Sequence, residues 1–143
     1  MAIKNQINLL MQSLSENVGI ARVTAAAFAA QVDLTLSEIE EIRVAVSEAI
    51  SNAVIHGYGE QNGTIEFSMT LYDDKLEYKI VDYGKGIADI NLARQPSYSS
   101  DPERMGLGFV FMESFMDELD IQSALQQGTT VKMVKKFQSA RAH

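Results

Sequence analysis

Glu48 and Asn52 lie four residues apart in the run Glu48-Ala49-Ile50-Ser51-Asn52. On a helix that spacing puts both side chains on one face. A carboxylate there can orient or deprotonate a hydroxyl. An amide oxygen beside it can hold a hydrated Mg²⁺, an ion that takes few protein ligands when phosphates and waters supply the rest. A second pattern, Asp82-Tyr83-Gly84-Lys85-Gly86, follows an alternating segment. A strand-end carboxylate is a ready acceptor for an exocyclic amine such as adenine's, and the glycines let backbone approach a ligand closely. A third, Gly106-Leu107-Gly108, opens a helix, where bare N–H groups and the dipole favour an anion. Neither glycine pair has the third glycine of a dinucleotide fingerprint, and no GxxxxGK[ST] occurs. Singly, these are a solvated helix face, a surface turn and a glycine hinge. In order, they describe an ATP site built without a Walker loop.

Other residues could join it. Arg104, two residues before Gly106, is placed to meet a γ-phosphate, with Arg94 an alternative. Thr129, after Gly128, could set a hydroxyl beside the base, or be an ordinary strand residue. His56, one turn beyond Asn52, could touch phosphate or simply complement the helix end. Arg22 interrupts an apolar, alanine-rich helix; there it is either solvated or an anchor for a protein partner.

The remaining composition limits what the site can serve. A chain of 143 residues with 46% hydrophobic and 22% charged content reads as one soluble globular domain, expected over 1–137, with a disordered tail over 138–143. A net charge of −7 argues against direct nucleic-acid or anionic-membrane binding, which need clustered Lys and Arg. The absence of cysteine removes disulfides, zinc thiolates and thiol nucleophiles, and suits a reducing cytoplasm. No signal peptide is visible, and runs without a polar residue, such as Ala25 to Ala30, are far too short to span a bilayer.

Periodicity supplies the elements that must hold these residues. Ile3, Ile7, Leu9 and Met11 alternate with mostly polar neighbours, as in a half-buried strand. Ser13-x-x-Glu16 has capping-box form and predicts a helix to about Gln31, with Ile20, Val23, Ala27 and Ala30 on one face. Ser37-x-x-Glu40 predicts a second, with Ile39, Ile42, Val46, Ala49 and Ala53 as its stripe and an end near His56, where glycines intervene. Ile65 to Leu71 and Leu76 to Ile80 alternate on either side of Asp73-Asp74, a hairpin. Residues 87 to 105 lack periodicity and read as a lid. A helix from Gly106 to about Asp117 follows. Then come a strand through Leu119, Ile121 and Leu125, a turn at Gln126-Gln127-Gly128, and a last strand through Val131 and Met133. The order β-α-α-β-β-(lid)-α-β-β predicts a two-layer α/β sandwich: a mainly antiparallel sheet with helices on one face.

The three patterns resemble the N, G1 and G2 boxes of the gyrase, Hsp90, histidine-kinase and MutL ATPases. Within that superfamily the chain is similar to the small anti-sigma serine kinases, and most of all to the sporulation anti-sigma F factors. The residues that carry the closer resemblance are Ala21-Arg22-Val23-Thr24, Val46 to Ala53, Ile55-His56-Gly57-Tyr58, Ala93-Arg94-Gln95-Pro96, and Arg104 to Phe109 leading to Met112-Glu113-Ser114-Phe115-Met116-Asp117. The resemblance implies a Bergerat-type fold, ATP and ADP as ligands, and Mg²⁺. It implies Glu48 as catalytic base, Asn52 as Mg²⁺ ligand, Asp82 with Thr129 at the adenine, and Gly84, Gly86, Gly106 and Gly108 shaping lid and phosphate cradle. Arg104 would reach the phosphates and Arg22 the protein partners. It further implies a cytoplasmic homodimer that inhibits a sigma factor and phosphorylates an anti-anti-sigma protein on serine. Two other functions compete: a nucleotide-gated binding module without phosphotransfer, and the detached catalytic domain of a histidine kinase.

Overall fold

The computed structural model describes residues 2–59, 61–87, 89–90 and 105–138. Five strands make one sheet: β1 (Asn5–Gln12), β2 (Thr64–Leu71), β3 (Lys75–Asp82), β4 (Glu118–Ala124) and β5 (Gly128–Lys136). Their spatial order is β1-β2-β3-β5-β4, and every neighbouring pair is antiparallel. Among the described residues the helices α1 (Glu16–Ala29), α2 (Leu36–Asn52) and α3 (Met105–Phe115) cover one face. This is the expected two-layer architecture. Among the described residues no helix is long and apolar enough to cross a membrane.

The hairpin forms as its alternation demands. Ile65, Phe67, Met69 and Leu71 of β2 and Leu76, Tyr78 and Ile80 of β3 are buried beneath the helices. Tyr72 N–H donates to Lys75 O at 2.9 Å and closes the Asp73-Asp74 turn. Continued by two residues, the inward rhythm of β3 reaches Asp82, and that of β5, read back from Met133 and Val131, reaches Thr129. The strands thus deliver a carboxylate and a hydroxyl to the helix-covered face at one end of the sheet, and the two residues are register partners.

The helices depart from expectation in three ways. First, α1 turns its other side inward. Ala21, Ala25, Phe28 and Ala29 are buried, whereas Ile20 and Val23 are 57% and 59% exposed and Ala27 and Ala30 also face outward. Both sides of this helix are apolar, so periodicity does not choose between them. Packing does: alanines let α1 come close enough for the Tyr78 hydroxyl to donate to Ala25 O at 3.0 Å, with the Phe28 ring edge-on to Tyr78.

Second, the capping boxes are displaced. Ser13 does not cap α1; its hydroxyl accepts from Gly63 N–H at 2.9 Å and ties the end of β1 to the approach to β2. The box that starts α2 is Thr35 with Glu38, two residues before the expected pair. Glu38 N–H donates to Thr35 Oγ1 at 3.1 Å, and Thr35 N–H to Glu38 Oε1 at 2.9 Å.

Third, α2 does not stop at the glycines. It runs on through a wider π-helical turn, Ala53–Tyr58. Tyr58 locks this turn to the sheet: its hydroxyl donates to Thr64 O at 2.6 Å and accepts from Tyr83 N–H at 2.8 Å. The stripe expected on α2 is otherwise in place, with Ile42, Val46, Ala49 and Ala53 buried. At the far end, Leu125 lies outside β4, exposed in a turn where Gln126 takes φ 65°. The expected lid over 87–105, with Arg94, Arg104 and its serines, falls largely outside the described residues, as does the tail beyond Gln138.

Candidate nucleotide site

A cleft opens between the end of α2, the start of α3 and the Asp82 end of the sheet. Its walls are mostly apolar: Ala49, Ala53, Ile80, Ile87, Phe109 and Val131. Polar groups stand at two ends. Asp82 and Thr129 sit at one, Asn52 at the other, and His56 and Gly57 lie between. An apolar cleft with a carboxylate at its end suits a ring that offers an amine, such as a purine.

The π turn brings its residues into the cleft. Its wider winding rotates His56 inward, where it is 4% exposed, and presses Gly57 against Asp82. A Cβ at Gly57 would stand 2.9 Å from Asp82 Oδ1, so only glycine leaves the carboxylate its place. Asp82 is itself 5% exposed and accepts from Gly84 N–H at 3.0 Å. Burial raises its carboxyl above the ordinary 3.8, and the amides of Gly84 and Thr129 pull it partly back. Next to it Gly86 turns the chain with φ 76°.

Thr129 is held by Ser123, to which the sequence reading gave no role. The Ser123 hydroxyl accepts from Ile87 N–H at 2.7 Å, donates to Gly128 O at 3.0 Å and lies 2.8 Å from Thr129 Oγ1. It thereby joins the start of the lid to the base end of the cleft. A signal was present: Leu119, Ile121 and Ser123 share one alternation, and a hydroxyl stands where an apolar side chain is expected.

At the other end, Glu48 and Asn52 project from the same side of α2, and the first turn of α3 lies directly across them. A Cβ on Gly108 would come within 2.9 Å of Glu48 Oε2 and 3.5 Å of Asn52 Nδ2. That close approach brings the N-terminus of α3, with Gly106 in its first turn, to the Glu48–Asn52 pair. Lys135 fixes the two helices in this relation. It follows Val131 and Met133 in the inward alternation of β5, is buried, and donates to Glu41 Oε1 at 3.1 Å and to the last carbonyl of α3, Phe115 O, at 2.8 Å.

Asn52 Nδ2 is buried and makes no hydrogen bond, so the amide keeps capacity for a ligand. Among the described residues no three His, Cys, Asp or Glu converge as a metal cage. An amide with a neighbouring carboxylate fits an ion that arrives with phosphates rather than a resident metal. Of the expected site residues, Asn52, Asp82, Gly86 and Thr129 line the cleft; Gly84 reaches it through Asp82, and Gly108, close after Gly106 at the start of α3, faces Asn52 and Glu48. Arg104 lies outside the described residues, and Arg22 lies away from the cleft, facing a groove between α1 and α2.

Known proteins match this arrangement. A family model described as "Histidine kinase-like ATPase domain" covers residues 11–135. An anti-sigma F factor from Geobacillus sp. (strain WCH70) is 45% identical over 143 residues, spanning 98% of each chain. One from Bacillus subtilis (strain 168) is 44% identical over the same spans. Among solved structures, the RsbU and RsbW domains of Rv1364c from Mycobacterium tuberculosis superpose with a TM-score of 0.64 at 19% identity, covering 94% of this chain and 34% of that one. The mycobacterial sensor histidine kinase MprB gives 0.59 at 15%, covering 92% and 99%. These two establish likeness of fold. With 44–45% identity to anti-sigma F factors over 98% of its length, the chain belongs to that family, a branch of the histidine kinase-like ATPases.

Proposed function

We propose that this protein binds and inhibits a sporulation sigma factor and, as an ATP-dependent serine kinase, phosphorylates the anti-anti-sigma protein that opposes it. The observation that carries the reading is the position of Glu48. It stands beside Asn52 at the α3 end of the nucleotide cleft and also lines the α1–α2 groove that opens to the surface. A carboxylate so placed can take a proton from a hydroxyl arriving from outside.

In this reading Asp82 and Thr129 receive the adenine, Asn52 holds the Mg²⁺ that accompanies ATP, and the glycines with the α3 N-terminus cradle the phosphates. Bound Mg²⁺ neutralises phosphate charge. Glu48 accepts the proton of the serine hydroxyl as its oxygen bonds to the γ-phosphorus and the bond from that phosphorus to the β–γ bridging oxygen breaks, leaving ADP. Arg104 steadies the phosphate end and Arg22 meets the protein partners. The protein works as a homodimer in the cytoplasm. An open edge at β1, with Ile3, Ile7 and Leu10 exposed, supports self-association.

Incubation with γ-labelled ATP and the anti-anti-sigma protein tests this. Acid-stable phosphate on a serine is expected. Nucleotide binding with no transfer would instead make the protein a gated binding module, and acid-labile phosphate on a histidine would make it a histidine-kinase catalytic domain.

A further inference from the structure

Helix α2 separates two spaces. One turn past Glu48, Asn52 faces the nucleotide cleft; one turn and two turns before it, Val44, Arg43 and Glu40 face the α1–α2 groove. That groove, of about 380 Å³, has room for a peptide segment, and its other lining residues are Arg22, Ser47 and Glu48. In a chain of net charge −7 it gathers two guanidiniums beside the candidate base. Arg22 Nη1 donates to Ser47 Oγ at 3.5 Å, and Ser47 Oγ donates to Arg43 O at 2.8 Å, so one hydroxyl links both sides of the groove.

We infer that this groove seats the acceptor segment of the protein substrate, and that Arg43 positions it by pairing with a carboxylate close to the acceptor hydroxyl. The inference rests on the kinase reading above. Arg43 already faces a carboxylate of its own helix: its Nε lies 3.2 Å from Glu40 Oε2, an ion pair without an aligned hydrogen bond. Both side chains are more than a third exposed, so the pair is weak and exchanges readily for an incoming acid. The geometry also sets a spacing. Arg43 precedes Glu48 by five residues, about 7.5 Å along the helix axis. An extended segment advances about 3.3 Å per residue, so the acid falls about two residues from the acceptor serine. With the acid held by Arg43, the hydroxyl comes to Glu48. The serine oxygen then bonds to the γ-phosphorus, the β–γ bridging bond breaks, the proton passes to Glu48, and ADP departs.

The test uses the anti-anti-sigma protein as acceptor and separates KM from kcat. Arg43→Ala should raise the KM for that protein roughly ten- to a hundred-fold, the loss expected of a charge-assisted contact. The kcat at saturating acceptor and the ATP affinity by calorimetry should stay near wild type, and Arg43→Lys should recover most of the loss. Neutralising the acidic residue about two positions from the phosphorylated serine should raise KM with the wild-type kinase and add little with Arg43→Ala. This acceptor-side arm needs no folded variant of the kinase. A KM unchanged by Arg43→Ala, additive effects of the two substitutions, or a loss of ATP affinity in Arg43→Ala would each overturn the positioning role. If the wild-type protein transfers no phosphate to serine, the kinase reading itself fails, and this inference with it.

Discussion

Asp82 shows how much one residue's surroundings decide. The alternation of β3 puts its carboxylate under the helices, and Gly57 and Gly84 close around it. Because burial raises its pKa in the fold, the folded state holds the proton more tightly than the unfolded chain does. Its contribution to stability is therefore full below the ordinary carboxylate range and is lost as pH rises through the raised folded value. Asp82→Asn should raise the melting temperature of the nucleotide-free protein. It should also weaken ATP binding by about 1.5–3 kcal/mol, roughly ten- to a hundred-fold. Calorimetry and thermal melts at neutral pH check both, and an unchanged affinity would remove Asp82 from the adenine site. Asp82 was legible in the sequence because strand, carboxylate and glycines are contiguous. Ser123 was marked only by a hydroxyl in an apolar alternation, and its role was not legible, since its partners Ile87, Gly128 and Thr129 meet it only through strand pairing and a returning loop.

At the scale of elements, local sequence set the strands and left choices in the helices. The β2–β3 hairpin has one apolar face, so its register and buried side follow from alternation. Helix α1 is apolar on both sides, and only the fit of alanines against Tyr78 and α2 selects the inner one. The start of α2 offers two boxes of identical form, and the chain uses the earlier one, with Thr35 extended at ψ 161°. Thr35→Ala should therefore cost about 1 kcal/mol, read as a lower midpoint in urea, while Ser37→Ala should cost a few tenths. Equal losses would show that the Thr35–Glu38 box does not carry the helix start. The π turn was the least legible element. Gly57 suggests a helix end, yet Tyr58, anchored to Thr64 O and Tyr83 N–H, holds the helical path open for another turn and so turns His56 inward.

The described residues form a sheet covered by helices on one face, with the nucleotide cleft at one end and an apolar edge at β1. The edge belongs to β1, where Leu10 is 73% exposed and unpaired backbone faces outward. In the proposed homodimer this edge is the contact, so Leu10→Asp should shift the mass from twice 15.8 kDa toward 15.8 kDa in sedimentation equilibrium, with ATP affinity retained; a wild-type monomer would remove the proposed dimer, and a dimer of undiminished stability would place the contact elsewhere. The cleft is where the sequence patterns converge, although they are spread from residue 48 to residue 129. The helix–sheet layering brings them together, and Lys135 holds α3 over Glu48 and Asn52. The proposed phosphotransfer depends on Glu48 as base, and single-turnover transfer from γ-labelled ATP to the anti-anti-sigma serine isolates that step. Glu48→Gln should bind ATP as the wild type does and slow transfer by roughly 10²–10⁴-fold, because the amide keeps the shape and cannot take the proton. A rate within about three-fold of wild type would fall below any general-base contribution and contradict the assignment of Glu48 as the base.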